Sequence, residues 1–429
     1  MRITFYGGAE EVGRSAIVIE EGKARAMLDC GIKLGERLEF PLISKEELKG
    51  IHEIVLTHAH LDHSGYIPHL FSEGMVPRVY ATKPTRDLTG VLFADYYRVQ
   101  RAKGKPLFSE SAIRNSLQKV VMVEYGQETG RAFRFVLRSA GHIMGSSMVH
   151  IPEKKFLYTG DMCMRKTRIL EPCERNLSAE TLVIESTYGG RKDILPSFKE
   201  AGQALTRIIN ETLDKGGHVL IPCFAVGRAQ EILLMLDDYM RSGVLRDSRI
   251  YIEGMIWKAL RIYRHNAIYA NDDIKRRILM SEDDPFKSPR FHRPRTKDRV
   301  DVLAQPSIII STSGMLTGGP ALFYLEKLAE NPSSTIIFVG YQAPGTLGRR
   351  ITEGERLIKI GGREIELKLR VEQVRISGHA DYNELLQFIK GVKDLKRVFL
   401  IHGEKPEIAE ALERKYEVIV PRLLETYGF

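Results

Sequence analysis

Cysteine is scarce in this 429-residue chain, and its four copies (Cys30, Cys163, Cys173, Cys223) form no Cys-x-x-Cys pair. That excludes a disulfide scaffold and a cysteine-based zinc ribbon, and it suits a reducing, cytoplasmic setting. Long hydrophobic runs are missing as well. The longest, such as Ser307–Ile310 and Thr335–Val339, are strand-length, far short of the ~20 apolar residues of a membrane span. A soluble protein with no membrane partner is expected. The chain opens Met-Arg-Ile-Thr-Phe-Tyr, already strand-like, which leaves no room for a signal peptide. Internal repeats, biased tracts and long linkers are absent. What is in excess is positive charge: 64 Lys and Arg face 55 Asp and Glu, for a net +9. That balance points, weakly by itself, to an anionic partner.

The rhythm of the chain divides it. Up to about residue 180, short strands follow one another closely (Ile3–Tyr6, Ser15–Glu20, Ala24–Asp29, Glu53–Thr57, then Phe133–Ser139, Met148–Ile151 and Lys155–Thr159). Helical patterns at Thr85–Arg101 and Glu110–Lys119 lie between the two groups. Close spacing implies antiparallel pairing, and the helices can cover outer faces, which gives a sandwich of mixed sheets. From Thr181 strands alternate with helices of ten or more residues, the signature of a parallel sheet. From Glu355 the short-strand rhythm returns. The expected fold is α/β, an αββα sandwich carrying an inserted parallel α/β module. The expected boundaries are 1–190 for the first part of the sandwich, 191–355 for the insertion and 356–429 for the returning part. The basic run Lys287–Arg299 (KSPRFHRPRTKDR) reads as a solvated loop, the alternative being that it supplies phosphate contacts.

The chemistry concentrates in Thr57-His58-Ala59-His60-Leu61-Asp62-His63, directly after an apolar strand. Neutral imidazole and carboxylate are the ligand types of zinc and similar borderline metals. A compact HxHxDH turn can aim His58 and His60 at one ion and Asp62 and His63 at a neighbour. His142, in Ala-Gly-His, and Asp161, in Tyr-Thr-Gly-Asp, also follow strands. In both, the preceding glycine permits a tight turn. Asp29, at a strand end before Gly31, is a candidate to orient a ligating imidazole, or else an ordinary turn residue.

HxHxDH, then Gly-His, then Gly-Asp, on this strand pattern, resembles the metallo-β-lactamase superfamily. Glu185 in Ile184-Glu185-Ser186-Thr187-Tyr188, His379 in Ser377-Gly378-His379-Ala380-Asp381 and His402 in Ile401-His402-Gly403 are similar to the three signature motifs of the β-CASP nucleases. The likeness spans almost the whole chain. It is nearest in look to short homologues, without KH modules, of the endonuclease subunit of cleavage and polyadenylation specificity factor. The resemblance implies two Zn2+ ions, one held by His58, His60 and His142, the other by Asp62, His63 and His402, with Asp161 shared. It implies an RNA substrate, single-stranded, because relatives acting on RNA carry histidine where His402 stands and DNA-repair relatives carry valine. His379, Glu185 and Asp62 would be the catalytic residues, His379 as general acid tuned by Glu185. The expected products carry a 5′-phosphate and a 3′-hydroxyl. Endonuclease and 5′-exonuclease action both occur on these motifs, so that choice stays open.

For RNA contacts, three Gly-rich loops after strands stand out, with Arg228, Ser313, Gly314, Arg349 and Arg350, together with Ser377; each loop can also be a plain βα turn. The apolar tail Val420–Phe429 resembles the tail through which archaeal members form homodimers, the alternative being packing on its own domain. Two rival functions share part of the pattern. A thioester or lactone hydrolase needs HxHxDH but not the motifs around Glu185, His379 and His402. A non-catalytic RNA-binding scaffold needs no intact ligand set.

Overall fold

A computed structural model describes every residue of 1–429 except Glu36, Lys105, Glu282 and Lys405. The chain forms two compact units. The first comprises residues 1–166, 170–194 and 378–429, the second 167–169 and 195–377.

The first unit is built on two seven-stranded sheets. One begins with antiparallel strands Arg2–Gly7, Ala16–Glu21 and Ala24–Leu28, then continues in parallel through Glu53–Val55, Arg78–Ala81 and Val120–Met122. The other runs, in spatial order, through Glu417–Ile419, Arg397–Ile401, Thr181–Glu185, Phe156–Tyr158, Ser147–Ile151, Phe135–Ser139 and Glu128–Thr129. Period-two alternation makes the layers. Phe5, Ile17 and Leu28 of the first sheet share one buried cluster with Leu137, Val149, Tyr158, Val183 and Phe399 of the second. The neighbours that point the other way, Leu182, Ile184, Val398 and Leu400, pack with Leu385, Phe388 and Ile389 of helix Tyr382–Gly391. On the far side Met27, Ile54 and Val79 pack with Phe93 and Ala112 of helices Lys83–Ala102 and Glu110–Gln118. Strands covered on both faces need apolar residues at nearly every position, as Leu-Val-Ile at 182–184 shows. The result is the αββα sandwich.

The second unit holds a six-stranded, all-parallel sheet in the order Phe291–His292, Ile250–Ile252, Ile308–Ser311, Val219–Pro222, Thr335–Phe338, Arg370–Gln373. Here the boundary departs from the sequence reading, which returned the chain to the sandwich at 356. Arg370–Gln373 pairs with Thr335–Phe338, and Ile358 and Ile360 of the preceding hairpin, with Leu367 just after it, join this unit's core. The unit therefore runs to Ser377. The basic run also departs from a loop, since Phe291–His292 is the edge strand of this sheet.

The tail takes the second of its two expected courses. Thr426–Gly428 pairs antiparallel with Arg2–Thr4, and Leu423, Tyr427 and Phe429 pack on the sandwich core. Tyr427 lies edge-on to Phe5 and Phe399, at 6.0 and 5.4 Å. These apolar residues are satisfied within their own domain, and Leu424 alone of the tail's large hydrophobics stays exposed. No helix among the described residues is long and apolar enough to cross a membrane.

Candidate metal centre

Strand direction gathers the site. Asp29 follows Ala24–Leu28 and His58 follows Glu53–Val55, neighbours in one sheet. His142, Asp161 and His402 follow Phe135–Ser139, Phe156–Tyr158 and Arg397–Ile401, and Glu185 ends Thr181–Glu185 in the other. These strands of the second sheet all point one way, because the parallel pairs are direct and Phe135–Ser139 is reached through two antiparallel steps. The six carboxyl ends meet at one rim of the sandwich. The turns are tight where glycine was expected to allow it. Gly141 and Gly160 have φ of +69° and +52°. A Cβ on Gly160 would come within 2.8 Å of the Thr57 side chain.

At that rim His58 Nε2 and His142 Nε2 each lie 3.2 Å from His60 Nδ1. His58 Nε2 and His142 Nε2 lie 3.5 and 3.7 Å from Asp161 Oδ2. His142 donates through Nδ1 to the Gly378 carbonyl at 2.9 Å, which leaves its Nε2 as a lone pair aimed inward. Beside this group Asp161 Oδ1 is 3.3 Å from His63 Nε2 and 3.5 Å from His402 Nδ1, and His402 Nε2 is 3.4 Å from Asp62 Oδ2. All seven expected ligand residues thus converge, in sets whose ligand atoms lie within 4.8 Å of one another.

The donor atoms fit a metal. His63 Nε2, Asp161 Oδ1 and His402 Nε2 are buried and make no hydrogen bond. Three unmet polar atoms at one point are costly unless a cation is their partner. Nitrogens 3.2 Å apart also match the edge of a tetrahedron with Zn–N bonds of about 2.0–2.1 Å. Electrostatics agree. Burial, and then the neighbouring imidazoles, hold His58 and His142 well below the usual histidine range, neutral and able to ligate. Burial would raise Asp161, but the imidazoles of His63, His402, His379 and His58 outweigh it and keep the carboxylate charged.

Asp29 lies beneath this layer, fully buried. It accepts from His63 Nδ1 and the Tyr158 hydroxyl, both at 2.7 Å, and from the Thr57 backbone N–H and hydroxyl. His63 is thereby fixed with its proton on Nδ1 and Nε2 turned to the site. Sequence reasoning missed Thr57, Tyr158 and Thr187, the last of which donates to Glu185 Oε2 at 2.6 Å. Their only signal was adjacency to motif residues.

His379 stands apart from the ligand layer. Its Nδ1 donates to Glu185 Oε2 at 2.8 Å, its Nε2 is 4.0 Å from Asp161, and its side chain keeps 20% exposure. Glu185 is buried and is held further by the Met162 backbone N–H at 2.7 Å. The helix beyond His379 is capped by Asp381 rather than by His379, so the histidine is free of that structural duty.

Comparison with known proteins places these features. Three family models match in chain order: the metallo-beta-lactamase superfamily over residues 9–201, the Beta-Casp domain over 229–351 and the Zn-dependent metallo-hydrolase RNA specificity domain over 364–421. A protein named transcription termination factor FttA from Methanothermobacter thermautotrophicus is 38% identical over 99% of this chain and 71% of its own length. Its namesake from Pyrococcus abyssi is also 38% identical, over 97% of this chain and 69% of its own. The chain belongs to the β-CASP family of metallo-β-lactamase-fold proteins. An Enterococcus faecalis crystal structure titled a protein of unknown function shares the fold, with a TM-score of 0.59 at 16% identity over 99% of both chains. Membership makes the chain a member of a metal-dependent hydrolase family tied to RNA processing.

The six residues expected to meet RNA fall in the second unit. Arg228 opens helix Arg228–Arg241 with its Nη1 buried and unpartnered, while Ser313 caps its own turn by accepting from the Thr317 N–H at 2.9 Å. Gly314 packs so closely on the Cys223–Phe224 backbone that a Cβ would lie 2.9 Å from it. Arg349 and Arg350 are paired with Glu353 and Glu355. Ser377 is buried. The three Gly-rich loops leave adjacent strands at the carboxyl edge of the parallel sheet, where ligands of such sheets bind.

Proposed function

We propose that this β-CASP protein is a two-zinc ribonuclease that hydrolyses single-stranded RNA to 5′-phosphate and 3′-hydroxyl ends. The observation that carries the reading is the pairing of a converged ligand set, with unmet buried atoms, and a partly exposed histidine held by a buried glutamate. His58, His60 and His142 would hold one ion and Asp62, His63 and His402 the other, with Asp161 between them. Two such ions lower the pKa of water to near neutrality and offset charge on a phosphate in the transition state. Asp29 keeps His63 in the ligating tautomer. Glu185, accepting from Nδ1, orients His379 so that Nε2 can hold a proton for the leaving 3′ oxygen. As the P–O3′ bond breaks, that proton completes the 3′-hydroxyl and the phosphate stays on the 5′ side.

Arg228, Ser313, Gly314, Arg349, Arg350 and Ser377 are proposed phosphate contacts. The name of the archaeal relatives carries the proposal to transcript ends, in termination, 3′-end maturation or decay, in the cytoplasm. A homodimer, in this reading, uses exposed Leu424 and the outer edge of strand Thr426–Gly428. Leu424→Glu should then give a monomer in light scattering, and an unchanged mass rejects that contact.

Labelled RNA incubated with the purified protein, with and without chelator, tests the activity. Metal-dependent cleavage supports it, thioester turnover without cleavage replaces it with a small-molecule hydrolase, and metal-independent binding alone replaces it with a scaffold. Comparing circular with linear RNA separates endonuclease from 5′-exonuclease action.

A further inference from the structure

The charge of this protein is unevenly placed. The second unit has 29 Lys and Arg against 22 Asp and Glu, so it carries +7 of the chain's +9. Many of its arginines are spoken for: Arg168, Arg241, Arg264, Arg277, Arg349 and Arg370 all pair with carboxylates. The segment 290–299 combines paired and unpaired cations. Its two ends are pinned. Arg290 bridges Asp247 and Asp237, and Arg299 binds both oxygens of Glu253 while lying over the Phe323 ring. Between these anchors Arg293, Arg295 and Lys297 are exposed and have no acidic partner among the described residues.

Their spacing is as informative as their charge. Phe291–His292 is the edge strand of the sheet, and burial alternates from His292 to Arg295 as in an extended chain. Residues two apart in such a chain lie about 6.6 Å from each other on the same side, comparable with successive phosphates along an extended RNA strand. Arg249, also exposed, precedes the neighbouring strand Ile250–Ile252, whose Tyr251 ring lies 5.7 Å from the His292 ring. Arg293 and Arg295 share that rise, and Lys297 follows on the short 3-10 turn Thr296–Asp298. Fixed ends and free cations make a rail rather than a tangle of solvated side chains.

We propose that the edge strand Phe291–His292, the extended residues after it and the short 3-10 turn Thr296–Asp298 form a docking rail for the phosphate backbone of single-stranded RNA, contacted by Arg293, Arg295 and Lys297. The proposal rests on the reading that RNA is the substrate, and it adds a binding surface that belongs to neither the metal centre nor the Gly-rich loops. Contacts of this kind position an RNA without reading its sequence.

The test uses the full chain and a fluorescent oligouridylate, with chelator present so that binding is measured without cleavage. Each neutralised phosphate on a single strand contributes about −0.7 to the log–log slope of affinity against salt. The triple variant Arg293→Ser, Arg295→Ser, Lys297→Ser should flatten that slope by about 2 and weaken low-salt binding at least roughly tenfold. The arginine-to-lysine pair Arg293→Lys, Arg295→Lys should retain the wild-type slope, because charge is what the rail supplies. A triple variant that binds with the wild-type slope overturns the proposal. So does one that binds normally but self-associates, which would assign these charges to protecting an open sheet edge. Wild-type protein that binds with a rail-dependent slope yet cuts nothing overturns the catalytic reading alone. Protein that cuts RNA with a rail-independent slope overturns the rail alone.

Discussion

Replacing Asp29 with asparagine tests the layer beneath the metal centre. The substitution keeps size and removes one charge. In the wild type, Oδ1 serves the Thr57 backbone N–H at 2.8 Å, while Oδ2 serves His63 Nδ1 and Tyr158 at 2.7 Å. An asparagine can keep its oxygen on Thr57, but its NH2 then faces a ring N–H. The conflict is relieved when His63 moves its proton to Nε2, the atom 3.3 Å from Asp161 Oδ1, and in that tautomer Nε2 cannot ligate. Losing such a supporting partner costs roughly 10–100-fold in metal affinity, or about 1.4–2.8 kcal/mol. The loss should fall on one ion, since His58, His60 and His142 do not touch Asp29. Zinc content by mass spectrometry at buffered free zinc, with circular dichroism to establish folding, reads this directly. We expect one ion retained and the second released at free zinc that saturates the wild type. A folded Asp29→Asn protein holding both ions at wild-type affinity would refute the reasoning.

Three further predictions follow from other parts of the molecule. His379→Ala should keep both metals and slow cleavage about 10²–10⁴-fold, whereas His402→Ala should lose metal as well as activity; the reverse pattern of metal content would exchange their roles. Glu231 is fully enclosed, and burial outweighs its bonds to Thr167 and the Arg168 and Ile169 N–H groups, so its pKa is raised. The folded state then holds the proton longer than the unfolded one, and stability should fall as pH rises from the unfolded carboxyl value of 4.5 through the folded one. Glu231→Gln should flatten that part of a melting-temperature profile, and parallel profiles would contradict the assignment. Tyr427→Ala should destabilise the sandwich by about 2 kcal/mol through its lost ring packing, seen as a lower denaturation midpoint, and an unchanged midpoint would mean the tail does not hold its strand in solution.

The sandwich, the parallel module and the candidate ligand residues that converge were legible because each leaves a local mark. Period-two strands, βα alternation and a histidine-rich turn after an apolar strand can all be read without knowing what lies opposite. The failures share a cause. The hairpin Leu357–Glu366 and strand Arg370–Gln373 look like the sandwich's short strands; only the pairing of Arg370–Gln373 with Thr335–Phe338, and the packing of Ile358 and Ile360 in that core, assign them to the other unit. Phe291–His292 is two residues long and set among charges, so nothing in its own composition marks a strand. For the tail, apolar character required burial but could not say against which surface. The support of Asp29 by Thr57 and Tyr158 depends on three strands meeting, which spacing in one dimension does not reveal.

The split of the sandwich has a consequence for how the protein comes into being. Strand Thr181–Glu185 takes Arg397–Ile401 as its parallel neighbour, in direct register from Thr181 with Arg397 to Glu185 with Ile401. Everything between, including the whole parallel module, must be made before that neighbour exists. During synthesis the chain emerges at about 5–20 residues per second, and His58, His60 and His142 appear long before His379 and His402. In the reading proposed here, a half-made chain owns most of a metal site but neither the proton donor nor the last ligand, and it stays harmless to the message from which it is being translated until His402 has left the ribosome.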